Sequence, residues 1–382
     1  MVVHYIGFSE VTGYGTTAGI LIEALKKNGV NVVYTGVREG NSDRGGVVVR
    51  QEGDLAMAAD AVIIHTLPEY FPYWYTREKE RNPNAKIWGY TTWETDKPPV
   101  YWAPLLNLMD ALFVPCQMNK AVFEKAGVER PIYLLPHISQ FEGKASLKSS
   151  KSLTPVFDSL AGRFIFYYIG TWTERKVPWL VIEAFNQEFS AAENVALVVK
   201  TGIRDWVRYR RSWKTLFRKG ISYSADSFKK YNRRSKNRVI HIDKELDKEE
   251  IAMIHDKSHC FISLTRGEGW GVPSFEAAWF GRPVIITGFG GMLDYLNPEN
   301  AYLVDYKLVP VEVSLYPDVF SRDQRWADPD LAHARKLMRH IFNHQEEARF
   351  RGGNLQQAVM KTFGSDSIAA QCIDSLTKEA VS

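Results

Sequence analysis

Residues 265–283 read Thr265-Arg266-Gly267-Glu268-Gly269-Trp270-Gly271-Val272-Pro273-Ser274-Phe275-Glu276-Ala277-Ala278-Trp279-Phe280-Gly281-Arg282-Pro283, directly after the apolar run Cys260–Leu264. An apolar run that breaks into glycines and resumes at a proline reads as a strand, a tight loop and a helix. Gly267, Gly269 and Gly271 let the backbone approach a ligand closely or adopt positive φ. Pro273 suits the first turn of a helix, where its missing N–H is not needed. The helix start then offers free N–H groups and a positive dipole end to a phosphate. Glu268 falls in the loop and Glu276 about one turn into the helix, so both can face one ligand from different sides. A nucleotide sugar matches that set. One carboxylate serves sugar hydroxyls, the other ribose hydroxyls, and the amides of Gly269, Trp270, Gly271 and Val272 serve the diphosphate.

Beyond this stretch, Pro283–Thr287 reads as the next strand, Gly288–Leu296 as a further glycine-rich turn and Asn300–Asp305 as another strand. Any strand–loop–helix unit yields a glycine-rich string, and a lone pair of glutamates eight apart would mean little. With the glycines, the proline and the downstream run together, the segment resembles the Glu-x7-Glu donor site of retaining, GT-B-fold glycosyltransferases of the family 4 type. The resemblance is strong over about 164–305 and loose before that. It implies an α/β protein of two facing Rossmann-like domains with a cleft between them, and a final helix crossing back to the first domain. It also implies a hexosyl- or pentosyltransferase that moves a sugar from a nucleotide diphosphate sugar to an acceptor hydroxyl. The anomeric configuration is kept, with neither a cofactor nor a metal required, and a front-face mechanism is the working hypothesis. No Asp-x-Asp stands at the end of any strand expected above or below, which agrees.

A second constellation, Gly170-Thr171-Trp172-Thr173-Glu174-Arg175-Lys176, follows the apolar run Phe164–Ile169 and precedes a helix from about Pro178 to Phe189. The resemblance places an Arg straight after this glycine and a Lys five residues later, both on the donor diphosphate. Here Thr171 stands at the Arg position, Lys176 matches the Lys, and Arg175 beside it is the candidate for the missing charge. Negative charge grows on the leaving phosphate as the glycosidic bond breaks, and fixed cations stabilise it best. Lys200, closing the next strand, is a third candidate cation or else a lysine reaching solvent.

Short β-branched runs alternate with amphipathic stretches throughout, the pattern of parallel α/β sheets. Strands are expected at Val2–Phe8, Asn31–Thr35, Ala61–His65, Lys86–Tyr90, Ala111–Val114, Ile132–Leu135, Val195–Lys200 and Val239–Ile242, besides those above. Helices are expected at Thr16–Asn28, with Gly29 as C-cap, Tyr101–Asp110 and Gln117–Ala126. The Ser- and Lys-rich stretch 139–160 reads as the connection, which gives domains at 1–150 and 151–353 and a returning helix over 354–382. In the first half, Gly13-Tyr14-Gly15 reads as a strand–helix loop, which the resemblance sets opposite the donor pyrophosphate, or else as only a tight turn. With no third glycine and no suitably placed acid after the second strand, it does not read as a dinucleotide site. His65 ends a strand at the edge where ligands bind in such sheets. Glu94, in Thr92-Trp93-Glu94, can orient hydroxyls. Trp93 either stacks on a sugar or is core, and His137 reads as structural.

Apolar content of 45% and charged content of 24% in 382 residues describe a soluble globular chain long enough for two domains. Cys116, Cys260 and Cys372 are odd in number and widely spaced, with no disulfide or metal pattern, as in a reducing compartment. No basic region precedes the first apolar run, and no run is long enough to span a membrane. A cytosolic protein is expected, with peripheral association with the inner membrane face left open. The net charge of +4 is unevenly spread, since 204–238 holds thirteen Lys or Arg against Asp205 and Asp226. At 100° per residue, Trp206, Tyr209, Trp213, Leu216 and Phe217 share one helical face, while Arg204, Arg208, Arg211, Lys214, Arg218 and Lys219 populate the other. Three readings compete: a solvated basic face, contact with an anionic membrane carrying a lipid-linked acceptor, or contact with a nucleic acid, including DNA as the acceptor. A sugar-nucleotide epimerase or phosphorylase of the same fold is the alternative enzyme. A non-catalytic nucleic-acid- or membrane-binding protein using 204–238 is the alternative outside enzymes.

Overall fold

The structure, a computed structural model, describes residues 1–9, 13–40, 44–53, 59–142, 150–207, 223–233, 238–312 and 319–381 (379–381 in backbone only). Its contacts divide the chain into two compact units, residues 1–142 with 361–382, and residues 143–360. The sequence reading put the divisions at 150 and 353, a few residues away from these.

In the first unit the strands are β1 (Val2–Phe8), β2 (Asn31–Arg38), β3 (Val47–Glu52), β4 (Ala61–His65), β5 (Lys86–Tyr90), β6 (Ala111–Val114) and β7 (Ile132–Leu134). They form one sheet in the order β3-β2-β1-β4-β5-β6-β7, parallel except where β3 joins β2 antiparallel. Helices α1 (Gly13–Lys27), α2 (Phe71–Arg81), α3 (Trp102–Asn107) and α4 (Gln117–Lys125) connect them. Gly29, at φ +81°, ends α1 as expected. Its N–H reaches the Lys26 carbonyl at 3.1 Å and the Val30 N–H reaches that of Leu25 at 3.1 Å. This double closure needs the left-handed backbone that glycine adopts most cheaply.

The second unit begins with α5 (Thr154–Asp158) and β8 (Phe164–Ile169), followed by α6 (Pro178–Glu188), β9 (Val195–Lys200), α7 (Ser224–Asn232), β10 (Val239–Ile242), α8 (Lys248–Lys257), β11 (Cys260–Ser263), α9 (Val272–Trp279), β12 (Val284–Thr287) and β13 (Tyr302–Val304). Its sheet runs β10-β9-β8-β11-β12-β13, with every pairing parallel. Burial on both faces explains why β8 (FIFYYI) is apolar throughout rather than alternating. An antiparallel pair, β14 (Tyr306–Pro310) with β15 (Arg325–Pro329), follows β13. Then come α10 (Leu331–Asn343), α11 (Gln345–Thr362) and α12 (Ser365–Val381). No described helix is long and apolar enough to cross a membrane.

The last helix belongs to the first unit. There Asp366 of α12 accepts from Lys27 at 2.9 Å and from Asn28 at 3.1 Å, and Gln371 donates to the Leu134 carbonyl at 2.8 Å. In the second unit α11 approaches the lead-in to β12 so closely that a Cβ on Gly352 would lie 2.5 Å from the Gly281 carbonyl oxygen. Backbone cannot swing aside as a side chain can. Gly352→Ala is therefore expected to cost about 1–3 kcal/mol of stability, read from the midpoint of chemical denaturation. An unchanged midpoint would mean that α11 shifts freely.

Candidate functional site

Strand order decides which loops meet. β8 lies between β9 and β11, and chain direction across the sheet reverses there, which makes it a topological switch point. Ligands of open parallel sheets bind beyond the carboxyl ends of the strands at such a point. The loop after β8 (170–177) and the loop after β11 (264–271) leave from these adjacent strands. Residues ninety apart in sequence are thereby brought side by side.

Glu268, Arg175 and Lys176 meet there. Lys176 Nζ contacts Glu268 Oε1, and Arg175 Nη1 donates to Oε2 at 3.2 Å and to the Gly267 carbonyl at 2.6 Å. Thr265 Oγ1 completes the set, 2.9 Å from Glu268 Oε1. Glu268 is 7% exposed. Burial pushes its pKa up, but the charges of Lys176 and then Arg175 outweigh burial and hold the carboxyl below its ordinary value. The site thus carries an ionised carboxylate between two cations.

Backbone contacts fix this carboxylate from behind. Gly291 N–H donates to the Glu268 carbonyl at 2.8 Å, and Gly290 takes φ +127°. A Cβ on Gly290 would lie 2.9 Å from that same carbonyl. The glycine-rich turn after β12 therefore packs under the first one. Of the three glycines around Glu268, only Gly271 adopts positive φ, at +76°. Tyr295 Oη lies 2.9 Å from the Trp270 carbonyl and 3.1 Å from that of Gly271, and 2.8 Å from Ser274 Oγ. These contacts aim the Trp270–Gly271 carbonyls into the protein. The Trp270 ring is buried against Phe275 and Tyr295. Val272 opens α9. A small cavity at this point is lined by Lys176, Ser263, Glu268, Gly271, Pro273 and Ser274.

Glu276 takes a different neighbour. Its Oε2 lies 3.6 Å from His255 Nε2 of α8, with the two side chains 5% and 0% exposed, and His255 Nδ1 is 2.8 Å from Tyr167 Oη. Sequence reasoning missed His255, because nothing in spacing announces that α8 lies beside α9. Lys200 is the last residue of β9, with its carbonyl accepting from Gly170 N–H at 3.1 Å. Burial lowers its pKa, against the opposing charge of Glu245. Thr171, at the position the resemblance gives to an arginine, is exposed. Val177, next after Lys176, is a buried β-branched residue at φ +36°, a strained conformation that the loop imposes at the start of α6.

In the first unit, Gly13, Tyr14 and Gly15 form the first turn of α1 rather than a loop before it, a correction to the reading of that segment. A Cβ on Gly13 would meet nothing within 4 Å, so no crowding demands a glycine there. Tyr14 Oη lies 3.0 Å from Thr91 Oγ1 and accepts from Thr92 N–H at 3.2 Å. Burial raises its pKa, and the nearby Glu94 carboxylate adds to this. Glu94 itself is partly exposed. His65 is 1% exposed, stacked on Tyr90 at 4.0 Å, with Nδ1 2.6 Å from Tyr5 Oη. Burial and then His137 push its pKa well down, so the ring is neutral. His137 is buried with its pKa lowered to about 3 by burial, and Tyr90 Oη is 2.9 Å from its Nδ1. Trp93 is core: its Nε1 donates to Thr95 Oγ1 at 2.7 Å and its ring packs edge-on against Trp102 at 4.7 Å. The alternative that it stacks on a sugar is thereby removed.

Most of the basic block, 208–222 and 234–237, lies outside the described residues, and with it most of the stretch whose spacing predicts an amphipathic helix. At its start, Arg204 bridges to Tyr223 and Asp205 to Trp172, so 204–205 pair with other segments instead of opening a helix. Trp172, pinned in this way, is buried at the root of the 170–177 loop.

No protein-family model matches the chain, and no curated protein does. Solved structures match over its whole length. HepE from Anabaena in complex with UDP-glucose superposes with a TM-score of 0.69 at 11% identity, covering 99% of this chain and 100% of its own. The fold is GT-B. Sucrose-phosphate synthase from Thermosynechococcus elongatus gives 0.69 at 16% identity over 99% and 98% of the two chains. The α,α-trehalose 6-phosphate synthase from Burkholderia multivorans gives 0.67 at 12% over 100% and 99%. At such identities the likeness is one of GT-B architecture, and the chemistry rests on this chain's own residues.

Proposed function

We propose that the chain is a retaining glycosyltransferase, moving a sugar from a nucleotide diphosphate sugar to an acceptor hydroxyl. The observation that carries this reading is the buried Glu268 carboxylate held between Lys176 and Arg175 at the switch point of the second sheet. A donor has the complementary pattern, an anionic diphosphate joined to a hydroxyl-rich sugar. UDP-glucose, bound by HepE on the same fold, is the first donor to test.

In this scheme the diphosphate draws on Lys176, Arg175 and Lys200 and on the N–H groups of Gly269, Trp270, Gly271 and Val272, while Glu268 turns to the sugar hydroxyls. The acceptor oxygen attacks the anomeric carbon on the face from which the phosphate departs. The carbon–phosphate oxygen bond breaks as the new glycosidic bond forms, and the acceptor's proton passes to the leaving diphosphate. The configuration is kept. Lys176 and Arg175 supply the positive charge that this departure needs, so no metal or cofactor is assigned to the step. Gly13 and Gly15 are assigned to the donor phosphates through the start of α1, and Glu94 to hydroxyl orientation. His65, neutral and buried, is assigned a positioning role through Tyr90 and Tyr5. Stereochemical analysis of the product from an α-linked donor tests the retaining assignment, and a β-linked product would refute it.

Glu276, in the turn of α9 that follows the phosphate site, is assigned to the donor ribose, exchanging its contact with His255 for the ribose hydroxyls. Glu276→Ala is expected to weaken nucleoside diphosphate binding by about 1–3 kcal/mol, the loss of charge-assisted hydrogen bonds. Calorimetric titration with the free nucleotide measures this, and unchanged affinity would place the ribose elsewhere.

The thirteen cations in 204–238 are assigned to an anionic acceptor or to the surface that carries it, DNA or an anionic membrane. Replacing Arg208, Arg211, Lys214 and Arg218 together with Gln is expected to reduce acceptor use and its salt sensitivity, with donor hydrolysis near wild type. Binding to DNA and to anionic vesicles over a salt series reads the partner directly. Normal transfer by the quadruple variant, with neither partner bound, would leave the block a solvated face.

A further inference from the structure

Two arginines cross between the loops of the candidate site. Arg175 reaches from the first loop to the Gly267 carbonyl and Glu268 of the second. Arg266 reaches back: its Nη1 donates to the Glu174 carbonyl at 3.3 Å, and its main-chain N–H donates to the Arg175 carbonyl at 2.8 Å. Arg175 is accounted for by the proposed chemistry. Arg266 is not, because its guanidinium is committed elsewhere.

That commitment is to the β14–β15 pair. Asp328 Oδ1 accepts from Arg266 Nη2 at 2.8 Å and Nε at 3.2 Å, the guanidinium lies 5.1 Å from the centre of the Trp326 ring, and Trp326 is buried. Ala327 N–H also donates to the Arg266 carbonyl at 2.8 Å. Three successive residues of β15 therefore grip one residue of the loop that carries Glu268, through its backbone, its charge and its planar face. A guanidinium suits this position, because its fork can serve a carboxylate and a carbonyl while its face stacks on a ring. At its base the β14–β15 pair is anchored by Asp330 N–H donating to the Asp305 carbonyl at 2.7 Å, next to the end of β13.

We propose that Arg266 is a positioning residue, and that β15, through Asp328 and Trp326, acts as a brace setting the separation of the Arg175–Lys176 loop from Glu268. The inference rests on the donor-site reading for its catalytic consequence, although the brace is defined by contacts independent of that reading. A group that acts through geometry governs turnover more than ground-state affinity, since a displacement of about 1 Å can cost about 10²-fold in rate.

The test uses the full chain with Arg266→Ala, Arg266→Lys and Asp328→Asn. Amide hydrogen exchange is measured by mass spectrometry, alongside nucleoside diphosphate affinity and donor turnover. Arg266→Ala and Asp328→Asn are expected to speed exchange over 173–177 and 264–268 while β8, β9 and β12 keep wild-type protection. Turnover falls about 10²-fold in Arg266→Ala, with free nucleotide affinity within about threefold of wild type. Arg266→Lys, which keeps the charge but loses the fork, restores less than half of the protection. Should Arg266→Ala fail to fold, Asp328→Asn carries the same test with a near-isosteric change. Unchanged exchange over 173–177 in either folded variant overturns the proposal, as does a uniform rise across the unit, which would make Arg266 merely structural. A wild-type chain that binds no nucleotide sugar counts against the donor-site reading instead, and the exchange pattern still decides whether the brace exists.

Discussion

Replacing Lys176 with Met should lower sugar transfer by about 10²–10³-fold, the scale on which a single electrostatic stabiliser of a developing charge acts. The ammonium sits within a largely buried cluster, at the edge of a cavity where screening is weaker than in water. Its neighbour Arg175 remains, which keeps the effect below a total loss. The same substitution reaches Glu268 by a second route. With Lys176 present the Glu268 pKa lies below its ordinary 4.5 because the cations overcome burial. Taking away the first of them lets burial push the carboxyl upward. A depressed folded-state pKa contributes stability above the unfolded value and loses it as pH falls through the folded one. Lys176→Met is therefore less stable than wild type near neutral pH, and the difference narrows as pH drops below 4.5. Denaturation curves across that range measure it. A pH-independent difference would mean that Lys176 acts by packing alone. Metal-dependent transfer, abolished by a chelator, would contradict the catalytic half of the prediction.

Glu268→Gln should separate chemistry from nucleotide binding. In the structure this carboxylate is paired with both cations, so removing its charge weakens its hold on them. Free nucleoside diphosphate affinity should then stay near wild type or tighten, while turnover falls by about 10²-fold or more for want of the contact to the reacting sugar. A residue that served only to hold the loop would show the opposite balance, losing nucleotide affinity and stability together. Comparable losses in both measurements would move Glu268 away from the sugar. A double variant, Lys176→Met with Glu268→Gln, should recover part of the stability lost in Lys176→Met, because the buried carboxylate that has lost the larger of its two balancing charges is then neutral.

The buried strands of the GT-B fold were legible because their apolar runs are continuous, and β8 and β9 fall where those runs put them. What escaped is what burial does not dictate. β3 (VVVRQE) is an almost wholly exposed edge strand with no alternation to mark it. Helix α2 (FPYWYTREKER) opens on aromatics, which have poor intrinsic helix propensity. It forms around buried Phe71 and Trp74 instead. Gly13 and Gly15 look like loop residues by composition yet start α1, held partly by Thr17 Oγ1 donating to the Gly13 carbonyl at 2.9 Å.

Within the candidate site, the glycine pattern and the two glutamates marked the loop after β11, but contacts between elements depend on strand order, which no local pattern encodes. The junction of β8 and β11 gives Glu268 its cations, that of α8 and α9 gives Glu276 its histidine, and β15 gives Arg266 its carboxylate. His65 shows the converse. A strand-end position marked it as a ligand-facing group, whereas the packing of Tyr5 and Tyr90 around it explains its burial.

A nucleotide-sugar site formed by Lys176, Arg175 and Glu268 would show itself in thermal unfolding with UDP-, GDP-, ADP- and CDP-sugars, since a ligand bound only by the folded chain raises its melting temperature. At least one of these donors should raise the melting temperature of wild type, and the rise should be lost or sharply reduced in Lys176→Met. No rise with any donor, or an equal rise in wild type and Lys176→Met, would mean that Lys176 does not help to form such a site.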